Sequence, residues 1–181
     1  GKTCMSLETY AQFYALLERQ VGIQLDHTKK YLTDSRLAHL ATEHGHDSVA
    51  SLVKFLTTSP IGNLHWSAFE ALTTNETYFF RDKQVFDGLA QTVLPQLMEA
   101  RRSERALRIY CAAASTGQEV YSLLMMMREL FPDLKVWDVF VQASDISEAC
   151  LERAKLGVYN LKEVERGLPP EYLPKYFDKS V

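Results

Sequence analysis

The stretch between residues 107 and 143 constrains this chain more than any other. Two apolar runs, residues 107–113 and 136–143, flank a segment in which Val120, Leu123, Leu124, Met127 and Leu130 recur at helical spacing. Short apolar runs bounded by turn residues read as buried strands, and the second has Val136, Val139, Phe140 and Val141 at its heart. Strand, helix and strand in so short a span form a βαβ unit, whose right-handed crossover makes the two strands parallel. The fold class is therefore α/β. A helix over residues 147–155, ended by Gly157, opens a second crossover, with no third strand of the series evident.

What precedes that unit reads as helices. Leu7, Tyr10, Phe13, Tyr14, Leu17 and Val21 step by three and four, which predicts one buried helical face stopping near Gly22. A second helix is expected from a cap at Asp26 to Gly45, with Leu32, Leu37, Leu40 and Ala41 inward. A third, capped by Asp47 or Ser48, carries Val49, Leu52, Val53 and Leu56 and ends before Pro60; a fourth, from Asn63 to about Leu72, buries Trp66 and Phe69. Residues 1–72 thus form a small all-helical domain. Residues 73–106 are a linker and a long helix over residues 83–102, with Val85, Phe86, Leu89, Val93, Leu94 and Leu97 on one side and a kink or break at Pro95. Residues 107–181 are the α/β domain.

Composition closes off several functions. Of 181 residues, 46% are hydrophobic and 24% charged, the proportions of a globular protein of one large or two small domains. Twenty Lys and Arg against 23 Asp and Glu leave a net charge of −3, which argues against holding nucleic acid by bulk charge. No apolar run approaches the roughly 20 residues that span a bilayer, so no membrane insertion is expected. The first six residues lack the apolar core of a secretory signal, and Cys4, Cys111 and Cys150 are odd in number with no Cys-x-x-Cys pair. Reduced thiols in a cytoplasmic protein are the expectation. His44 and His46 have no Cys or carboxylate partners at ligand spacing, so no metal is expected. Arg101, Arg102, Arg105 and Arg108 read as a solvated helix end, Cys111 and Cys150 as packing, and Met125, Met126 and Met127 as core and near-surface residues pointing three ways.

Ligands of open α/β sheets sit at the carboxyl ends of the strands, where a tight turn enters a helix. Here that turn is Ala112-Ala113-Ala114-Ser115-Thr116-Gly117, small throughout, so backbone can approach a ligand closely. It is neither Gly-x-Gly-x-x-Gly nor a P-loop, which removes the usual pyrophosphate cradles and with them a nicotinamide-dependent oxidoreductase. The second strand ends at Asp145, whose two carboxylate oxygens could accept from both hydroxyls of a ribose. Together these point to a nucleoside without a demanding phosphate. The alternative is a plain tight connection, with Asp145 a cap for the helix after Ser147.

Three segments taken in order decide between them. Residues 72–81 (Leu-Thr-Thr-Asn-Glu-Thr-Tyr-Phe-Phe-Arg), residues 111–122 (Cys-Ala-Ala-Ala-Ser-Thr-Gly-Gln-Glu-Val-Tyr-Ser) and residues 143–146 (Ala-Ser-Asp-Ile) resemble the CheR-type chemotaxis receptor methyltransferases, as does the helical domain in front. The resemblance implies a Rossmann-like methyltransferase domain and S-adenosyl-L-methionine (SAM) as methyl donor, with S-adenosylhomocysteine as product. It implies glutamate side chains on the cytoplasmic domain of a methyl-accepting chemotaxis receptor as acceptors, and hence a transferase of signal transduction. Carried over by residue, the family's cofactor contacts fall on Asn75, Thr77, Arg81, Gln118 or Glu119, and Asp145. Arg81 offers a cationic fork to the carboxylate of the methionine moiety, with Asn75 and Thr77 beside it. Phe79 and Phe80 read as core anchors.

The departures from the family pattern are informative. Relatives often carry Glu-Glu after the turn's glycine, where this chain has Gln118-Glu119. Relatives also carry an arginine-rich second helix that meets acidic receptor helices. Here the matching stretch offers Lys29, Lys30 and Arg36, with Ala38 and His39 where arginines often stand, so receptor docking is expected to be weaker and more sensitive to pH. No catalytic acid or base is nominated, because an ionised glutamate is itself the nucleophile. The family's domain continues well past Val181, so a partial chain is the expectation. The rival reading is a non-catalytic receptor- or regulator-binding module built on a truncated methyltransferase fold.

Overall fold

The computed structural model of the chain describes residues 2–178, with side chains from Leu7 onward. Two units, Gly1–Thr74 and Asn75–Val181, each have their own core. Cys4 has its side chain outside the described residues, as does the chain end at Val181.

The first unit is four helices, α1 Lys2–Val21, α2 Lys30–Glu43, α3 Val49–Thr58 and α4 Asn63–Leu72. α1 packs on α3, and α2 packs on both α3 and α4. The helical spacing is realised at Tyr10, Phe13, Tyr14 and Leu17, all buried, whereas Leu7, a turn before that core, is exposed. Asp26 caps a single 3-10 turn, His27–Lys29, by accepting from Thr28 N–H at 2.8 Å, and α2 starts only after it. Ser48 caps α3 by accepting from Ser51 N–H at 3.1 Å. α4 corrects one expectation: Trp66 is 46% exposed, packing an edge on Phe69, and the residue that goes inside beside Phe69 is His65. That ring is buried because both nitrogens have partners. Nε2 donates to Leu56 O at 2.9 Å, and Nδ1 accepts from Gly62 N–H at 3.2 Å at the helix start.

The second unit opens with an irregular segment, residues 75–82, followed by α5 Lys83–Gly88, a π-helical turn Leu89–Val93 and α6 Leu94–Ala100. The break expected at Pro95 is thus spread over the turn before it. Proline has no N–H for the carbonyl four residues back, and widening the turn accommodates its ring. Of the face expected to be apolar, Val85, Val93 and Leu97 are exposed, and Phe86 and Leu94 are buried. Then come β1 Ala106–Ala112, α7 Gln118–Leu130, a 3-10 turn Pro132–Val136 and β2 Asp138–Ser144. The strands pair in parallel, Leu107 with Val139 and Ala112 with Ser144. Val136 belongs to the turn and is 72% exposed. α8 Glu148–Leu156, capped by Ser147 and ended by Gly157 in the left-handed region, α9 Leu161–Glu165 and α10 Leu173–Tyr176 complete the unit, which is a truncated Rossmann-like arrangement.

Leu107, Ile109, Cys111 and Val139 face a cluster with Phe86, Leu94, Leu123, Met126 and Met127. A second cluster joins Phe79, Met125, Val164 and Leu168. α7 lies between the two, so all three consecutive methionines are buried, where surface exposure was expected for some of them. The opposite sheet face presents Tyr110 and Phe140, 64% and 54% exposed. Arg101, Arg102 and Arg108 pair with Glu104, Glu99 and Asp138. Among the described residues no helix is long and apolar enough to cross a membrane.

Candidate functional site

At the carboxyl ends of the strands the chain folds tightly. Ala114 N–H donates to Ser144 O at 2.9 Å, extending the ladder beyond β1, and Gly117 then turns into α7 at φ 94°. Glycine is required here. A Cβ would lie 3.0 Å from Ala154 Cβ, 3.1 Å from the Tyr159 hydroxyl and 3.2 Å from Tyr121 Cε2. Tyr159 donates to Thr116 O at 2.6 Å and Tyr121 to Ala154 O at 2.8 Å, so two tyrosines brace the turn from behind.

Asp145 stands at the centre. Its Oδ2 accepts from Ser115 N–H at 2.7 Å and its Oδ1 from Ser147 N–H at 2.9 Å. The carboxylate therefore fixes the turn after β1 to the start of α8. A carboxylate has about four lone-pair sites; with one used on each oxygen, one on each remains, which fits a vicinal diol.

Residues 75–81 join the same place. Ser115 Oγ donates to Asn75 O at 2.8 Å, and Phe80 N–H donates to Ser122 Oγ at 2.9 Å. Phe79 is fully buried, edge-on to Tyr159 and Phe177 with centroids 5.1 and 5.7 Å away. Arg81 is exposed, donates from Nη1 to Glu76 O at 2.8 Å and lies 5.8 Å from the Tyr78 ring centroid. Five described residues other than glycine have positive φ, and four of them, Phe80, Asp82, Ala113 and Ser115, lie in residues 75–82 and in the turn after β1. Left-handed non-glycine residues cluster where surrounding structure over-determines the backbone.

The structure brings Asn75, Gln118 and Asp145 onto one loop, with Thr77 and Arg81 on the segment that loop holds. Gln118 is buried, its Oε1 accepting from Thr116 Oγ1 at 2.7 Å, whereas Glu119 is exposed in the first turn of α7. Burial pushes the Cys111 thiol up, and the Glu119 charge adds to that shift, so Glu119 projects its field onto the strand tip. Lys29, Lys30 and Arg36 lie in the first unit. Lys30 pairs with Asp34 and sits 4.4 Å from the Tyr10 ring centroid. Arg36 Nη1 donates to Leu72 O and Thr73 O at 2.9 and 3.0 Å, closing the end of α4. Lys29 is exposed.

Sequence reasoning singled out neither Ser115 nor Ser122 as an anchor, and it passed over Tyr159, Arg166 and Gly167. A serine on the buried face of α7, between Tyr121 and Leu123, was a signal, since a buried hydroxyl needs a partner. Tyr159 and Arg166 left none.

A parallel βαβ unit with a small-residue turn and a strand-end carboxylate makes this an α/β protein of the open-sheet class, whose ligand sites lie at the strand tips. The chain matches the family described as "CheR methyltransferase, SAM binding domain" over residues 75–181 and "CheR methyltransferase, all-alpha domain" over residues 8–73, and it belongs to that family. It is 42% identical over 170 residues to chemotaxis protein methyltransferase 1 of Pseudomonas aeruginosa, covering 92% of this chain and 61% of that one. It is 38% identical over 173 residues to chemotaxis protein methyltransferase Cher2 of Pseudomonas putida, covering 93% and 62%. Against chemotaxis protein methyltransferase 1 of Vibrio cholerae it is 36% identical over 177 residues, covering 96% and 63%. The chain thus spans about three fifths of the length of these curated relatives.

Proposed function

We propose that this chain binds SAM at the turn after β1 and belongs to an enzyme that esterifies glutamate side chains of chemotaxis receptors. The single observation that carries the reading is Asp145, held by two backbone amides with one lone pair left on each oxygen. When bound, SAM supplies an electrophilic methyl on a sulfonium. Asp145 takes the ribose hydroxyls and Arg81 the carboxylate of the methionine moiety, with Asn75 and Thr77 beside it. Of the two residues after Gly117, Glu119 takes the ammonium, because it is exposed and charged while Gln118 is buried and neutral. The turn excludes bulk and lets backbone close on the ligand. Direct attack by a glutamate carboxylate needs no general base, so the residues serve to hold and orient, which is where such a reaction gains its rate. Of the three cations nominated in the first unit, Lys29 is the exposed one available to an acidic receptor helix, and Lys30 and Arg36 lend field rather than contacts.

Isothermal titration with S-adenosylhomocysteine tests the reading. Heat is expected from the chain, and Arg81→Ala is expected to weaken binding about tenfold or more, the loss of a charge-assisted pair. Asp145→Ala strips acceptors from two amides and costs about 1–3 kcal/mol of stability, and Asp145→Asn would face one of those amides with an NH2 donor, so the exposed Arg81 is the cleaner site to vary. A chain that melts cooperatively and gives no heat at millimolar ligand overturns the proposal in favour of a non-catalytic receptor- or regulator-binding module.

A further inference from the structure

Arg81 has a competitor for its charge inside its own segment. Its Nη1 already donates to Glu76 O, and the Glu76 side chain, 62% exposed, belongs to the same residue. That carboxylate is a standing trap for the guanidinium that the proposed SAM reading, on which this inference rests, assigns to the ligand's carboxylate. The trap is filled. Arg166, from the loop after α9, donates from Nη2 to Glu76 Oε1 at 2.8 Å and lays its guanidinium 4.3 Å from the Tyr78 ring centroid. The approach is built in. Gly167, at φ 88°, comes so near that a Cβ there would lie 2.0 Å from Phe79 O and 3.1 Å from Tyr78 Cδ2. Val164 and Leu168, on either side, are buried in the cluster that holds Phe79. The loop thus meets Glu76, Tyr78 and Phe79 with three different devices: an ion pair with a stacked guanidinium, a bare backbone and an apolar anchor.

We infer that Arg166 is a positioning residue for ligand binding, occupying the Glu76 carboxylate so that Arg81 stays available to an anionic group of the ligand. Arg166 touches no ligand; it acts through Glu76. A merely structural ion pair would make removal of either partner equally harmful. A decoy makes the second removal curative.

Titrating S-adenosylhomocysteine into Arg166→Ala is expected to weaken binding about fivefold, the ceiling of an exposed ion pair now made by Arg81 instead. Adding Glu76→Gln to that variant is expected to restore affinity to near the wild type, and Arg166→Lys to retain most of it. Methylthioadenosine, which lacks the amino-acid carboxylate, is expected to bind wild type and Arg166→Ala alike. Arg166→Ala without effect on S-adenosylhomocysteine, or a double variant weaker than the single one, overturns the inference while leaving SAM binding intact. If the wild type binds neither nucleoside, the functional reading fails instead, and the decoy is read without ligand. Carbon-13 NMR titration of the Glu76 carboxyl is then expected to stay below the usual glutamate range in Arg166→Ala and return to it only in Arg81→Ala/Arg166→Ala. A return in Arg166→Ala alone overturns the inference.

Discussion

Gly117 and Gly167 mark two places where this fold brings backbone within a side chain's width of something else. At Gly117 the left-handed φ of 94° and contacts of 3.0–3.2 Å act together. Gly117→Ala is expected to cost about 1–2 kcal/mol from the left-handed conformation alone, and to push Tyr159 and Tyr121 off the turn. A thermal midpoint lowered by several degrees, with weaker nucleoside binding, would be the result; an unchanged midpoint would show that the turn has slack. Tyr159 itself stays protonated, since burial raises its hydroxyl far above its ordinary value. At this scale the sequence was legible where chemistry is local. The small-residue turn and Asp145 stand out by type and position. The partners of Asp145 do not, because Ser115 N–H lies 30 positions away and backbone amides carry no sequence signature.

Among the elements, α10 is short, only Leu173–Tyr176, and depends on its latch to α7. Lys175 Nζ donates to Glu129 Oε2 and the Tyr176 hydroxyl to Oε1, both at 2.7 Å. The hydrogen bond from Lys175 holds the Glu129 carboxyl below its ordinary value, and burial first, then Glu129, pushes the Tyr176 hydroxyl up to about 12. A carboxyl whose value is lower folded than unfolded contributes stability above its unfolded value of about 4.5, and that contribution fades as pH falls through the lowered folded value. Acidification below about pH 4.5 is therefore expected to lower the hydrogen-exchange protection factor, the observed rate set against the intrinsic rate at the same pH, of Phe177 N–H, which bonds Leu173 O. In Glu129→Gln the same protection should be low already and flat with pH. The helix over residues 83–102 teaches the complementary lesson. Its proline announced a break, but whether the chain would kink, split or widen into a π turn depended on Phe86 and Leu94 finding the sheet, which only packing decides.

On the scale of the whole molecule, each unit encloses its own apolar cluster. Residues 1–74 bury Phe13, Leu17, Leu37, Leu52, Leu56 and Phe69 completely, together with a satisfied polar set in which Tyr10 donates to Asp34 and Tyr14 meets Thr33. That segment expressed alone is expected to melt as a single cooperative helical transition by circular dichroism; a broad, probe-dependent melt would show that its core needs more. The second unit exposes Tyr110 and Phe140 on a two-stranded parallel sheet, a class of sheet that is usually covered on both faces.

By itself the sequence determined the four helices of the first unit, the two strands and the helices after each, because a period of 3.6, short apolar runs, a cap such as Ser48 and a stop such as Gly157 are properties of neighbours along the chain. It also marked the family through short motifs. Tertiary structure alone decided which residue at the margin of a face went inside, as with Trp66 outside and His65 within, and which distant groups met. Those outcomes turn on partners for buried polar atoms, and a partner such as Leu56 O for His65 or Glu76 for Arg166 exists only once the chain has folded.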